Sequence, residues 1–423
     1  MGRLDLPAKI LYETILPEVV ERLTDSQIPY HRGSPYGGKG WDTADPTVGD
    51  VHQWDIWGGK ERSWQDYFRM GGRFVSEFGI PAMPEIRTID YWLDGNKRER
   101  WAQSKLMQQH NRAGAHERRF AIVMNENFKL TGDFETHVFN TQIMQSEAVS
   151  LAYRSWRREW RGPGKEYVKS EVTSLNDCWP VTSWALVDYF LRPKPAYYTV
   201  ARELKSVTVG IFRKVIKNRP DDRPVQFYEF GAFQSVNATL EFWGTNSTLS
   251  PVKATLEVAC FDLESDWTHR TSHAVILLPN QSTELLAPFE CPCPPIQDAQ
   301  AQNVTLTNSY SVVVQARLVE PDTETVLGRY CDWPQPYRFL DFPDPELRVA
   351  VEGEQLTVTV TKPVKALVFS VYDGDSEVVW SDNTLDVVPG DPRVIVAAGL
   401  DSRSIRAAHV GRERAENISG HQH

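Results

Sequence analysis

Gly72-Arg73-Phe74-Val75-Ser76-Glu77-Phe78-Gly79, read together with the earlier Gly49-Asp50-Val51-His52-Gln53-Trp54-Asp55-Ile56-Trp57, decides the architecture of the first half of this chain. Both are short β-prone runs bounded by glycine and turn residues, and stretches of helical periodicity lie around them. In the earlier run a period of two places Val51, Gln53, Asp55 and Trp57 on one face, and His52, Trp54 and Ile56 on the other. In the later run Glu77 stands at the end of the strand, just before Gly79 and Pro81. Strand–helix alternation with Gly-rich turns after the strands predicts an α/β protein with a parallel sheet. The C-terminal end of such a strand opens into the crevice where α/β barrels place their reactive groups.

Working outward, residues 7–23 carry Leu11, Ile15, Val19 and Leu23 at helical spacing, interrupted by Pro17. Ile28-Pro29-Tyr30-His31 reads as a short strand and residues 61–70 as a helix. The strongest helical signal covers 133–160. Asp133 can cap it, Phe134, Val138, Met144, Ala148, Leu151 and Ala152 supply its apolar stripe, and Arg154, Arg157 and Arg158 suit its C-terminal dipole. About four strands fit before residue 205, which is half of an eight-stranded (β/α) barrel. From there the texture becomes all-β, with alternating runs at 225–243, 253–261, 268–278 and 309–319 that predict a β-sandwich. Asp332-Trp333-Pro334-Gln335-Pro336 reads as a linker. A smaller β unit follows, with strands near 347–351, 355–360, 366–372 and 393–398, and the polar end from Gly411 reads as a frayed tail. The expected domains are 1–204, 205–336 and 337–411, with a tail at 412–423.

The 423 residues carry a net charge of -10, which argues against nucleic acid as a partner. No apolar run is long enough to cross a bilayer, and no apolar segment of a secretory leader follows Met1. Five cysteines (Cys178, Cys260, Cys291, Cys293, Cys331) lack metal-site spacing and read as free thiols of a reducing, cytoplasmic compartment. The sequons at Asn237, Asn246, Asn280, Asn303 and Asn417 point the other way and carry less weight. Fourteen tryptophans are the anomaly, and Trp41, Trp54, Trp57, Trp64 and Trp92 crowd into one polar, Gly-rich region. Core packing explains such residues as readily as stacking against the apolar face of a sugar ring.

Pattern alone leaves Glu77 with two readings, a strand-end carboxylate paired with Arg73 or a catalytic one. Asp50, His52, Gln53 and Asp55, with Asn176-Asp177-Cys178-Trp179-Pro180, form the other polar set. No second histidine at ligand spacing supports a metal, no Gly-x-Ser-x-Gly elbow supports a serine nucleophile, and the paired glycines lack a phosphate-loop pattern. Carboxylates among aromatics remain, which is the chemistry of glycoside hydrolysis.

Tyr30-His31-Arg32-Gly33-Ser34-Pro35-Tyr36, Gly49–Trp57, Gly72–Gly79 and Leu175-Asn176-Asp177-Cys178-Trp179-Pro180 occur in this order. The chain thereby resembles the β-mannosidases of glycoside hydrolase family 2, the fungal intracellular group in particular. Tyr189–Tyr198 and Trp380-Ser381-Asp382-Asn383-Thr384-Leu385-Asp386 extend the resemblance over nearly the whole chain. It implies strands five to eight of a TIM barrel followed by two immunoglobulin-like sandwiches, and a retaining mechanism acting on terminal β-mannose of oligosaccharides or glycans. Glu77 matches the nucleophile; His52, Trp54, Trp57, Asp177 and Trp179 match substrate-binding positions. No metal and no cofactor are implied. The family's acid/base, in an Asn-Glu pair ending strand four, is expected upstream of Met1, and Asn125-Glu126 does not replace it. Thr173-Ser174 stands where the family carries Trp-Gln. The alternatives are a non-catalytic sugar-binding remnant and a subunit completed by an N-terminal fragment, with self-association through exposed barrel edges.

Overall fold

The structure, a computed structural model, describes residues 7–24, 28–37, 43–113, 117–160, 169–170, 174–216, 237–295, 309–374 and 376–418. Its first sheet is a parallel one of β1 (Val51–Gln53), β2 (Phe74–Phe78) and β3 (Lys169–Ser170), paired in that order. Residues 28–31, expected as a strand, run as irregular chain, and only Tyr36 makes an isolated bridge, to Asp50. Among the described residues, the first half therefore holds three parallel strands rather than four. The expected helix at 61–70 is a short 3-10 turn, Trp64–Arg69.

The helices that follow β2 include α1 (Ile86–Leu93), α2 (Glu117–Asn127) and α3 (Phe134–Arg158). α3 starts where the sequence places it, since the Asp133 carboxylate accepts the backbone N–H of Thr136 at 2.8 Å. Its stripe of Phe134, Val138, Met144, Ala148 and Ala152 is buried. Trp156 near its end lies edge-on to Phe78, with ring centroids 4.7 Å apart, and donates to the Tyr67 carbonyl at 2.8 Å. Burying a ring such as Phe78 contributes on the order of 1.5–3 kcal/mol, so β2 is clamped from beneath at the residue after Glu77. Arg154 does not face solvent at the helix end as expected. It is buried and donates to Glu203 of α4 (Pro195–Glu203) at 2.8 Å, because α3 is covered there by further layers.

Residues 7–23 are helical, with a wider turn at Leu11–Ile15 just before Pro17, which has no N–H to give. Among the described residues only Val19 of its stripe is partly covered. Leu11, Ile15 and Leu23 are all exposed.

The expected sandwich is present. Strands β4 (Val207–Ile216), β5 (Asn237–Asn246), β6 (Val252–Asp262), β7 (Thr268–Leu277), β8 (Gln281–Glu290), β9 (Val312–Val319) and β10 (Val326–Asp332) form sheets ordered β10-β9-β6-β7 and β4-β5-β8. Leu240, Phe242, Leu256, Val258, Val312 and Val314 fill the space between them. β4, β8 and β10 were not anticipated, and residues 225–236 of the expected first run lie outside the described residues.

Asp332–Pro336 is no free linker. Trp333 is buried and donates to Asp386 at 3.1 Å, while Asp332 pairs with Arg213 at 2.6 Å. The last unit comprises β11 (Arg348–Glu352), β12 (Gln355–Thr359), β13 (Val364–Ser370), β14 (Val379–Trp380), β15 (Leu385–Val387), β16 (Arg393–Ala398), β17 (Arg406–His409) and β18 (Arg412–Asn417), in sheets β11-β12-β16-β14 and β15-β13-β17-β18. The expected tail at 412–423 is corrected in its first part, because β18 pairs with β17 and lies beside α3. Its residues are polar because one face of this edge strand is solvated. No helix among the described residues is long and apolar enough to cross a membrane.

Candidate active site

The site grows from an irregularity in the β1–β2 pairing. Val51 pairs with Val75, but His52 pairs with Glu77, so β2 carries one extra residue, Ser76, at that point. A bulge of this kind breaks the alternation and re-aims side chains. Val75 and Phe78 remain buried, while Ser76 and Glu77 are both partly open to solvent.

Glu77 is held by two neighbours from the β1 segment. Trp54 Nε1 donates to Oε2 at 3.2 Å, and Nδ1 of His52 faces the same oxygen at 3.2 Å. The Glu77 side chain keeps 38% of its surface exposed, which leaves it reachable. Arg73, the expected partner, is exposed and lies in the bend just before β2. Ring Nε2 of His52 lies 2.9 Å from Ser34 Oγ. Ser34 in turn donates to Asp50 Oδ2 at 2.6 Å, and Ser76 donates to the same oxygen. Each hydroxyl has one hydrogen, so toward His52 Ser34 is the acceptor and Nε2 the donor.

Asp50 is the hub of this second layer and is buried. Its other oxygen contacts His31 Nε2 at 2.9 Å and accepts the Tyr36 N–H at 2.7 Å. Burial would raise this carboxyl. The hydrogen bonds from Ser34, Ser76, His31 and Tyr36 outweigh it and hold the group down at about 2. Gly49 lets the chain make this approach: its φ is +59°, and a Cβ there would fall 1.7 Å from the Tyr36 carbonyl oxygen. His31 and Ser34 were quoted in a motif but not assigned a role. Their place becomes visible only when residues 31–36 fold back onto Asp50.

Of the expected sugar contacts, the structure brings His52 and Trp54 to Glu77. Trp57 is corrected. The strand ends at Gln53, the next residues turn, and the Trp57 ring goes into the core against Phe120 with centroids 4.9 Å apart. Asp177 is half-buried and accepts from Ser183 of its own loop at 2.7 Å. Burial raises its carboxyl, with Lys194 opposing. Trp179 is exposed and stacks on His110 at 4.3 Å, which stacks on Trp92 at 4.7 Å. The residue of that loop that reaches the site is Trp184, edge-on to Trp54 at 6.0 Å and missed in the sequence. Thr173 lies outside the described residues. Glu126 sits on α2 opposite Arg338, apart from this cluster. Among the described residues no group of three or more His, Cys, Asp or Glu is placed to hold a metal ion.

Residues 238–338 match the family model of the mannosidase Ig/CBM-like domain. β-Mannosidase B of Thermothelomyces thermophilus is 38% identical over 403 residues, 93% of this chain and 45% of that protein. β-Mannosidase B of Aspergillus niger is 38% identical over 94% of this chain and 44% of its own length. The chain thus spans less than half the length of the curated relatives it matches. Among solved structures, the β-D-mannosidase of Dictyoglomus thermophilum aligns over 99% of this chain and 45% of its own, with TM-score 0.73 and 23% identity. An exo-chitosanase of Amycolatopsis orientalis aligns over 85% of this chain and 45% of its own, with TM-score 0.57 and 12% identity. These two likenesses are of fold. Over nearly its whole length the chain is thus similar to curated proteins of one name, β-mannosidase B, and to a solved β-D-mannosidase in fold.

Proposed function

We propose that this chain carries the nucleophile side of a retaining β-mannosidase site, with Glu77 as the attacking carboxylate. One observation supports it above the others: Glu77 sits at the C-terminal end of a parallel strand, partly open, with the Trp54 indole N–H and a ring nitrogen of His52 on one oxygen and the other oxygen left for an anomeric carbon. In this reading the β1-β2-β3 sheet is the later part of a (β/α)8 barrel, whose reactive groups gather at that end. Glu77 attacks the anomeric carbon, the glycosidic C–O bond breaks, and a mannosyl ester forms. Water then cleaves the ester with retention. His52 and Trp54 hold the carboxylate in the attacking orientation, and Trp54 with Trp184 offers apolar surface to the sugar ring.

Retaining chemistry needs a second carboxyl about 5–5.5 Å from the first to protonate the departing oxygen. We assign that group to a part of the β-mannosidase fold outside these 423 residues. A second observation favours completion by such a segment: among the described residues β1 and β3 stand at the edges of the parallel sheet, and the helix at 7–23 turns Leu11, Ile15 and Leu23 to solvent. Self-association through the same edges is the competing use of this surface. Five unpaired thiols support a reducing compartment.

The test is release of p-nitrophenol from its β-mannoside by the chain alone, and by the chain mixed with the N-terminal half of a β-mannosidase. Activity is expected only in the mixture, and Glu77→Gln should abolish it. Full activity in the Gln variant would overturn the assignment of Glu77. Activity of the chain alone would overturn the missing-carboxyl reading.

A further inference from the structure

Trp179 is the outer end of a stack of three rings. Trp92 of α1 is buried at the inner end and His110 lies between, with centroids 4.7 and 4.3 Å apart and planes within 11°. The stack is fixed by backbone on the Trp179 side. His110 Nδ1 donates to the Pro180 carbonyl at 2.7 Å, and the His110 carbonyl accepts the Thr182 N–H at 2.8 Å. Trp179 gives one face to His110 and keeps 45% of its surface in solvent. A flat apolar ring already held in one orientation loses little freedom when a ligand lands on it.

This ring stands at the end of the parallel sheet that carries Glu77. β3 runs parallel to β2, so residues 174–187, which follow β3, and residues 79–113, which follow β2, share that end. The Ala82 N–H donates to the Ser183 carbonyl at 2.9 Å and the Arg112 N–H to that of Thr182 at 2.9 Å, which joins the two segments. Five residues beyond Trp179, Trp184 lies edge-on to Trp54, and a Cβ at Gly79 would fall 3.3 Å from its ring. Five residues span at most roughly 18 Å even when fully extended, so Trp179 belongs to the rim around Glu77. Asn176 and Arg112 are exposed on these segments, and Asp177 is half-buried. Burial raises the Asp177 carboxyl, and Arg112 is among the cations that oppose the rise. An apolar plate beside an amide, a carboxyl and a guanidinium suits a pyranose, which has an apolar C–H face and an edge of hydroxyls.

We propose that Trp179 is the platform of a second sugar subsite on the leaving-group side of Glu77, and that the substrate is a β-linked oligosaccharide rather than a mannoside of a small aglycone. This rests on the reading of Glu77 as nucleophile toward a terminal sugar. In that reading the sugar that meets Glu77 is the last of its chain, so a further sugar lies toward the departing oxygen. Trp54 and Trp184 serve the first ring, and the outward face of Trp179 takes the C–H face of the next. Asn176, Asp177 and Arg112 are within reach of its hydroxyls. A second copy of the chain is the poorer occupant, because apolar side chains laid on Trp179 would strip water from these three polar groups.

The experiment titrates β-1,4-mannotriose and methyl β-mannoside into the full chain by calorimetry. Mannotriose is expected to bind more tightly than the methyl glycoside. Trp179→Ala should weaken mannotriose about tenfold, and Trp179→Phe, which keeps a ring, should weaken it less. Tyr310→Ala removes an exposed ring of the first sandwich and should leave mannotriose binding unchanged. Equal mannotriose affinity in Trp179→Ala and the parent, or no saturable binding by the parent, overturns the subsite. Self-association that is lost in Trp179→Ala while mannotriose affinity stays the same overturns it in favour of a second copy. Glu77→Gln should keep the binding that depends on Trp179 while abolishing hydrolysis by the completed enzyme. Hydrolysis that survives Glu77→Gln therefore strikes the nucleophile assignment, whereas loss of the Trp179 effect strikes the subsite.

Discussion

The indole N–H of Trp54 donates to Oε2 of Glu77 across 3.2 Å, the oxygen that His52 also faces. Trp54→Phe keeps an aromatic ring and removes the donor. A hydrogen bond to a charged group is worth roughly 1.5–3 kcal/mol, so kcat/KM of the completed enzyme should fall about 10- to 100-fold. Tm should stay within about 2 °C of the parent. An undiminished kcat/KM would show that the reaction does not use this hydrogen bond.

Behind that pair, Asp50 has a pH signature. Its folded-state pKa, about 2, lies below the ordinary 3.8, so its contribution to stability is complete above 3.8 and fades as the pH falls through 2. Asp50→Asn should therefore be less stable than the parent at neutral pH, with the gap closing in acid. Urea midpoints between pH 2 and pH 7 measure this, and parallel curves would refute it.

Trp57 and Trp179 should separate cleanly. Trp57 is 1% exposed and Trp179 45% exposed. Trp57→Ala should cost about 3–5 kcal/mol in denaturant unfolding, whereas Trp179→Ala should cost under about 1 kcal/mol. A neutral Trp57→Ala would contradict its burial against Phe120.

Lys194 is buried and donates to the carbonyls of Ala82 and Ser183 at 3.2 and 3.3 Å. Burial pushes its ammonium down to about 8, partly opposed by Asp177 and Asp188. The folded state then holds this proton less tightly than the unfolded chain. Stability owed to Lys194 should rise as the pH climbs from 8 to 10.5. Lys194→Met should lack that rise, and the difference between the two pH profiles isolates it from the tyrosines.

β2, α3 and the strand-end position of Glu77 were legible because each rests on local pattern: a short β-prone run, a cap at Asp133, a stripe at helical spacing. Trp57 was misread because the alternation through His52 was continued past Gln53, where the chain turns. β8 escaped because both of its faces are partly exposed, leaving no clean period of two. Arg154 looked like a helix-end cation because Glu203, its partner, lies far along the chain. The contacts of His31, Ser34 and Trp184 are likewise non-local, and only folding brings them together.

α3 touches everything. Trp156 underpins β2, Arg158 reaches Glu241 and Glu284 of the first sandwich at 2.6 and 2.8 Å, and Glu147 meets Lys365 of the last unit. Loss of any one layer would strip this helix of partners it shares with the other two. The three units should therefore melt in one cooperative transition, and damage in the last sandwich should be felt at Glu77 as lost order rather than as lost chemistry.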